Sequence, residues 1–235
     1  MEDVTTAMRG GTRVDRQPAA VLFDMDGTLV DSEKVWDVAL HELAALAGGR
    51  LSHPARLAMI GSSMDQSMRI LREDLGQPDR DPGPDVVWIE QRVYELFGSG
   101  LVWRPGAREL LAEVRAAGVP AALVTSTGRR LVEVALETLG RDSFDVTVCG
   151  DEVSRAKPDP APYLTAAELL GVPIAGCVAI EDSPTGVASA HASGAAVLAV
   201  PCELPLAPLD GVTQRDSLRG VDLAFLARLA ATAPA

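Results

Sequence analysis

The chain reads as an α/β protein, a doubly wound parallel sheet with a small all-helical domain inserted after its first strand. Three observations predict this. Short, unbroken apolar runs end abruptly in polar residues: Ala19–Phe23 at Asp24, Ala121–Val124 at Thr125 and Ser126, and Cys177–Ile180 at Glu181 and Asp182. Such runs fit strands buried on both faces, as in a parallel sheet covered by helices. From about residue 102 to 200 they alternate with helical patterns, the order of a doubly wound fold. From about 36 to 100 the alternation stops and only helical patterns remain.

The elements follow in order. Residues 1 to about 17 are polar and aperiodic, the composition of a disordered tail. The strand at Ala19–Phe23 comes next. Helices are then predicted over 36–47, 54–60, 64–75 and 85–97, separated by Gly48-Gly49, Gly61 and the Pro- and Asp-rich stretch 77–84. Pro105 opens another helix, with Ala107, Leu110, Leu111 and Val114 on one face and Gly118 as its stop. A strand at 121–124 leads to a helix over 129–139 closed by Gly140, and a strand over Val146–Cys149 to a helix over 161–170 closed by Gly171. The strand Cys177–Ile180, a helix over 184–193 closed by Gly194 and a strand over Ala195–Val200 complete the pattern. The expected division is a core domain of residues 18–35 and 101–235 around an inserted helical domain of 36–100. An insertion at that point stands over the carboxyl ends of the strands, where ligands of α/β sheets bind.

Composition narrows the function. The 235 residues carry 33 acids and 21 bases, a formal net charge of −12. A nucleic-acid backbone or an anionic membrane surface needs concentrated Lys and Arg, so neither is an expected partner. No apolar run approaches the ~18 residues of a membrane span, and the N-terminus lacks the shape of a signal peptide. The expectation is a cytoplasmic protein, a monomer or weak dimer, acting on a small molecule. Cys149, Cys177 and Cys202 form no CxxC pair, which disfavours a disulfide framework or zinc site. No GxxxxGK[ST] or GxGxxG occurs, so nucleotide-binding loops lose their motif support.

The polar residues that end the apolar runs carry the chemistry. In a parallel sheet the strand ends share one edge, so Asp24, Thr125, Ser126, Glu181 and Asp182 converge on one crevice. Several carboxylates there would repel one another and raise each other's pKa values. A hard divalent cation with oxygen ligands resolves this, and Mg²⁺ is the usual one where a phosphate also sits. Asp24 at a strand terminus and Asp26 two residues on suit a nucleophile and a general acid/base, and Gly27 allows the tight turn that brings Asp26 over the site. Asp31 and Ser32 have two readings, as caps of the following helix or as part of the catalytic loop. Lys157 stands out because the chain has only one other lysine, Lys34.

The run Asp24-Met25-Asp26-Gly27-Thr28 after a buried strand resembles the first signature of the haloacid dehalogenase (HAD) superfamily. Thr125 stands at its hydroxyl position, Lys157 in Lys157-Pro158-Asp159-Pro160 at its lysine, and Glu181-Asp182 at its acidic metal pair. Four ordered motifs at sheet-consistent positions are a far more specific signal than one. The resemblance extends from about residue 19 to 200 and implies a Rossmann-like core with a helical cap. It also implies phosphoryl transfer through an aspartyl-phosphate. Asp24 is then the nucleophile and Asp26 the general acid/base. Mg²⁺ is held by Asp24, Glu181, Asp182 and the backbone carbonyl of Asp26. Thr125, the Ser126 N–H and Lys157 hold the phosphate oxygens.

Within that superfamily, Asp26 separates the chain from dehalogenases, and the lack of any lysine between 35 and 156 separates it from phosphonate-cleaving relatives. β-Phosphoglucomutase-like sugar phosphomutases are the closer rival. They carry a His on the first cap helix and a cap Arg for a second phosphate, and those places fall at Trp36 and near Met64. Their loss favours hydrolysis of a small phosphate monoester, with sugar phosphates the nearest fit. Receiver domains of signalling proteins share an Asp, a Thr/Ser, a Lys and Mg²⁺, but they are about half this length and have no helical insertion. Glu33, Trp36, Gly61, Ser62 and Ser63 are the candidate substrate-reading residues.

Overall fold

A computed structural model describes residues 17–232. The tail predicted for residues 1 to about 17 therefore lies, but for its last residue, outside the described residues. Among those described, six strands form one sheet: β1 (Ala20–Phe23), β2 (Ala121–Val124), β3 (Val146–Val148), β4 (Cys177–Glu181), β5 (Ala196–Ala199) and β6 (Val212–Gln214). Their order is β3-β2-β1-β4-β5-β6 and every pairing is parallel. The chain winds from β1 outward to β3, then returns to β4 on the other flank of β1. The central strands are thus β2, β1 and β4, the three whose polar ends carry the candidate residues, and the winding reverses beside β1.

Helices α1 (Glu33–Leu46), α2 (His53–Met59), α3 (Met64–Asp74) and α4 (Gly83–Gly98) lie between β1 and α5 (Ala107–Ala116). After β2 come α6 (Arg129–Leu139), α7 (Ala161–Leu170), α8 (Pro184–Ser193) and α9 (Leu223–Thr232). The glycine stops act as read: Gly140 ends α6, Gly171 ends α7 in the left-handed conformation, and Gly194 does the same for α8. The structure adds β6 and α9 and starts α1 at Glu33, three residues ahead of the periodic pattern. Val212–Gln214 is a three-residue edge strand, too short to show a period.

Strand alternation divides the core. Val21 and Phe23 face one side of the sheet with α5, α6 and α9; Ala20 and Leu22 face the other with α7 and α8. The second side is rich in alanine, and Tyr163 is its one buried aromatic among the described residues. Leu40, Met68, Ile89 and Phe97 of the inserted helices join the buried cluster of the first side. The two segments that lead into and out of the insertion are paired. Val30 and Trp103 form an antiparallel bridge, the Asp31 N–H donates to the Val102 carbonyl at 2.8 Å, and the Arg104 N–H donates to the Leu29 carbonyl at 2.8 Å.

Candidate active site

Asp24 follows the last residue of β1 and is buried. The chain then turns sharply, with the Gly27 N–H donating to the Val30 carbonyl at 2.8 Å. Gly27 has φ +79°, and a Cβ there would lie 2.1 Å from Asp182 Oδ2. Both the backbone conformation and the close approach of the carboxylate require glycine.

The turn delivers Asp26 to a set of four donors. Its Oδ1 accepts from Ser32 Oγ at 2.6 Å and Trp36 Nε1 at 3.3 Å. Its Oδ2 accepts from Thr127 Oγ1 at 2.7 Å and Thr125 Oγ1 at 3.2 Å. Ser32 thus occupies the N-cap position of α1 but spends its hydroxyl on Asp26 and makes no side-chain cap. The Ser126 N–H, just past the end of β2, donates to nothing among the described residues.

Lys157 reaches over the end of β2 from the segment between β3 and α7. Its Nζ donates to Asp24 Oδ1 at 2.8 Å, the Val124 carbonyl at 2.9 Å and Glu181 Oε1 at 2.6 Å. All three ammonium protons are used, and the side chain is buried. Burial lowers its pKa, but Asp24 and Glu181 outweigh that and hold it above the usual lysine value. Glu181 is also fully engaged. Tyr163 Oη donates to Oε1 at 2.6 Å, and the Asp182 N–H and Ser183 Oγ donate to Oε2 at 3.1 and 3.4 Å. Burial first, then Glu181 and Asp24, keeps the Tyr163 phenol protonated and able to donate.

The charge does not balance. Asp24, Asp26, Glu181 and Asp182 face a single lysine. Burial, then the Glu181 charge, pushes Asp24 up to about 8 despite the pull of Lys157. Burial, then Asp24 and Glu181, raises Asp182 well above the carboxylate range. Ligand atoms of Asp24, Glu181 and Asp182 lie within 4.8 Å of one another. Asp24 Oδ2 is sealed from solvent and has no hydrogen-bond partner among the described residues. A buried, unpartnered carboxylate oxygen in a cluster of acids is the donor set a hard divalent cation completes.

Above this floor is a cavity of about 220 Å³. Asp24, Asp26, Ser126, Lys157 and Asp182 line it from the strand ends and the segments that follow them, and Glu33, Trp36, Gly61, Ser62 and Ser63 line it from α1 and the connection of α2 to α3. Thr125 and Glu181 are buried and are not part of its wall. Gly61, with φ +71°, lies close against the core: a Cβ there would lie 2.6 Å from Ser183 Oγ. The structure also places Thr127, Tyr163 and Arg56 at or beside the site, residues that the sequence reading did not identify. Thr127 was signalled only by standing two residues past Thr125. Arg56 lines the cavity from α2, where one arginine in a short helix gives no signal.

Comparison with known proteins agrees with this geometry. Residues 18–194 match the family described as haloacid dehalogenase-like hydrolase. Hexitol phosphatase A of Escherichia coli (strain K12) is 35% identical over 187 residues, covering 78% of this chain and 84% of that protein. The Phosphorylated carbohydrates phosphatase of Thermotoga maritima is 34% identical over 180 residues, covering 74% and 81%. The crystal structure of CbbY from Rhodobacter sphaeroides in complex with phosphate superposes with a TM-score of 0.78 at 31% identity, over 89% of this chain and 99% of that one. A fold wound around β1, a paired-aspartate turn at its end and a match spanning most of the chain place this protein in the haloacid dehalogenase-like hydrolase family.

Proposed function

We propose that this enzyme hydrolyses small phosphate monoesters, sugar phosphates above all, through an aspartyl-phosphate formed on Asp24. The observation that carries the reading is the buried, unpartnered Oδ2 of Asp24, beside Lys157 and at the floor of a cavity roofed by the inserted helices. Relatives described as phosphatases of hexitols and phosphorylated carbohydrates support the substrate class.

Asp24 attacks phosphorus in line, and the bond from phosphorus to the leaving oxygen breaks. Asp26 gives that oxygen a proton, then takes one from the water that attacks the aspartyl-phosphate, so the acid/base returns to its starting state. The free Ser126 N–H holds one non-bridging oxygen, and the Lys157 ammonium holds another by turning a proton away from one of its three protein acceptors. Thr125 and Thr127 hold Asp26 from the other side. The carboxylates fit Mg²⁺: Asp24 and Asp182 would hold it with the backbone carbonyl of Asp26, which accepts no hydrogen bond from the described residues. Glu181 would join them only by giving up one of its protein donors. When bound, the metal neutralises the charge of the transferring phosphoryl group.

The phosphomutase alternative requires a cation free to grip a second phosphate. Met64 lines the cavity but carries no charge, and Trp36 is spent on Asp26. Arg56 is in the wall, but it is committed to Glu33 at 2.8 Å and Asp37 at 3.1 Å. An aspartyl-phosphate that is not clamped away from water is hydrolysed. With Mg²⁺ and a hexose 6-phosphate, the protein should release inorganic phosphate; EDTA should abolish this, and Asp24→Asn should remove both turnover and covalent phosphate. Full activity in EDTA, or sugar isomerisation outrunning phosphate release, overturns the reading.

A further inference from the structure

Two charged side chains in the cavity wall take no part in the chemistry above. Glu33 opens α1 and Arg56 lies on α2; both are buried, and both line the cavity that holds Asp24 and Asp26. Arg56 Nη2 donates to Glu33 Oε2 at 2.8 Å and to the Glu33 carbonyl at 3.0 Å, and Arg56 Nε donates to Asp37 Oδ1 at 3.1 Å. That leaves one atom of each unused. Glu33 Oε1 and Arg56 Nη1 make no hydrogen bond among the described residues. Neither is sealed in, because the buried unpartnered side-chain atoms are Asp24 Oδ2 and Asp31 Oδ1. Both atoms therefore keep access to solvent, and both residues line the cavity.

We infer that Glu33 and Arg56 form a receptor for two neighbouring hydroxyls of the leaving group, so that the substrate is a singly phosphorylated polyol or sugar; this rests on the phosphatase reading above. The chemistry follows from the free atoms. A carboxylate oxygen accepts from one hydroxyl while the adjacent guanidinium N–H donates to the next, so a vicinal diol satisfies both at once. The rigid guanidinium fork, held by two acids, fixes the spacing. The same pairing argues against a second phosphate. Two carboxylates, Glu33 and Asp37, surround one guanidinium, so this end of the cavity offers a dianion no net positive charge. Burial, opposed by Arg56, raises the Glu33 pKa, and Asp26 adds to the rise, which places the pair within electrostatic reach of the group that protonates the leaving oxygen. A site built to hydrogen-bond hydroxyls discriminates strongly against an ester that lacks them, because its buried polar atoms are left unpaired.

The test compares sorbitol 6-phosphate with hexyl phosphate, which has the same chain length and no free hydroxyl. The wild-type protein with Mg²⁺ should favour sorbitol 6-phosphate in kcat/KM by tenfold or more, and Glu33→Gln should reduce that ratio by about tenfold. A purely structural role for Glu33 would slow both esters alike and leave the ratio unchanged, which overturns the proposal. Equal use of the two esters by the wild type overturns it without any variant. If neither ester is hydrolysed, the phosphatase reading fails separately. The receptor is then judged by calorimetric titration of the Asp24→Asn protein: at least tenfold tighter binding of sorbitol 6-phosphate than of hexyl phosphate supports it, and equal binding overturns it.

Discussion

Gly27 shows how much of this site depends on single atoms. The turn that carries Asp26 back over Asp24 needs a left-handed residue, and the Asp182 carboxylate occupies the space where a side chain would begin. Gly27→Ala combines about 1–2 kcal/mol of backbone strain with a clash against the Asp182 carboxylate. It should lower kcat by about a hundredfold while the protein stays folded, as judged by circular dichroism. At this scale the sequence was legible where chemistry and strand ends coincide. Asp24 and Asp182 stand out because charged residues at the ends of buried runs need a reason to be there, Asp26 by its spacing from Asp24, and Lys157 as one of only two lysines in the chain. Thr127, Tyr163 and Arg56 were not legible. Each acts on a partner distant in sequence, as Thr127 does on Asp26 or Tyr163 on Glu181, and no local pattern encodes such a contact. Glu181 is an intermediate case. It was identified from its position, but the Tyr163 and Lys157 bonds that occupy it are visible only in three dimensions.

The elements were readable in proportion to their punctuation. Helices α6, α7 and α8 end at glycines, and their spans agree with the sequence pattern. The carboxy-terminal stretch was silent: β6 is a partly exposed edge strand, and its partner is β5 alone. The inserted helices are tied to the core through α4, whose Ile89 is fully buried in the cluster shared with one face of the sheet. Ile89→Ala should cost about 2–5 kcal/mol, the usual range for truncating a buried aliphatic side chain. Urea denaturation measures it. Because Ile89 also lines the cavity, the same variant should raise KM.

For the whole molecule, the decisive property is a concentrated negative charge that the protein itself does not neutralise. Folding brings four acids against one lysine, and two of those acids, Asp24 and Asp182, have their pKa values raised. An ion that binds the folded state and not the unfolded one stabilises the fold by mass action, about 2.7 kcal/mol at a hundred times its Kd. Saturating Mg²⁺ should therefore raise Tm by about 5–10 °C over the EDTA-treated protein. The Asp182→Asn variant should lose most of that increase. Differential scanning calorimetry reads both, and an equal increase in the variant would remove Asp182 from the metal site.

The bridge between Val30 and Trp103 has a consequence for inheritance. The chain leaves the sheet and returns to it through two segments already hydrogen-bonded to each other, so for the sheet everything between them is one closed excursion. Doubling the length of such an excursion costs only about 0.6 kcal/mol in closure entropy. A single uninterrupted stretch of coding sequence can therefore be lengthened or exchanged without disturbing the register of β1, β2 and β4. Glu33 and Arg56 travel with the segment, so on the receptor inferred above such an exchange changes which alcohol is admitted. Asp24, Asp26, Lys157, Glu181 and Asp182 stay behind. On that reading, descent can revise the substrate of this enzyme in one event and leave its reaction untouched.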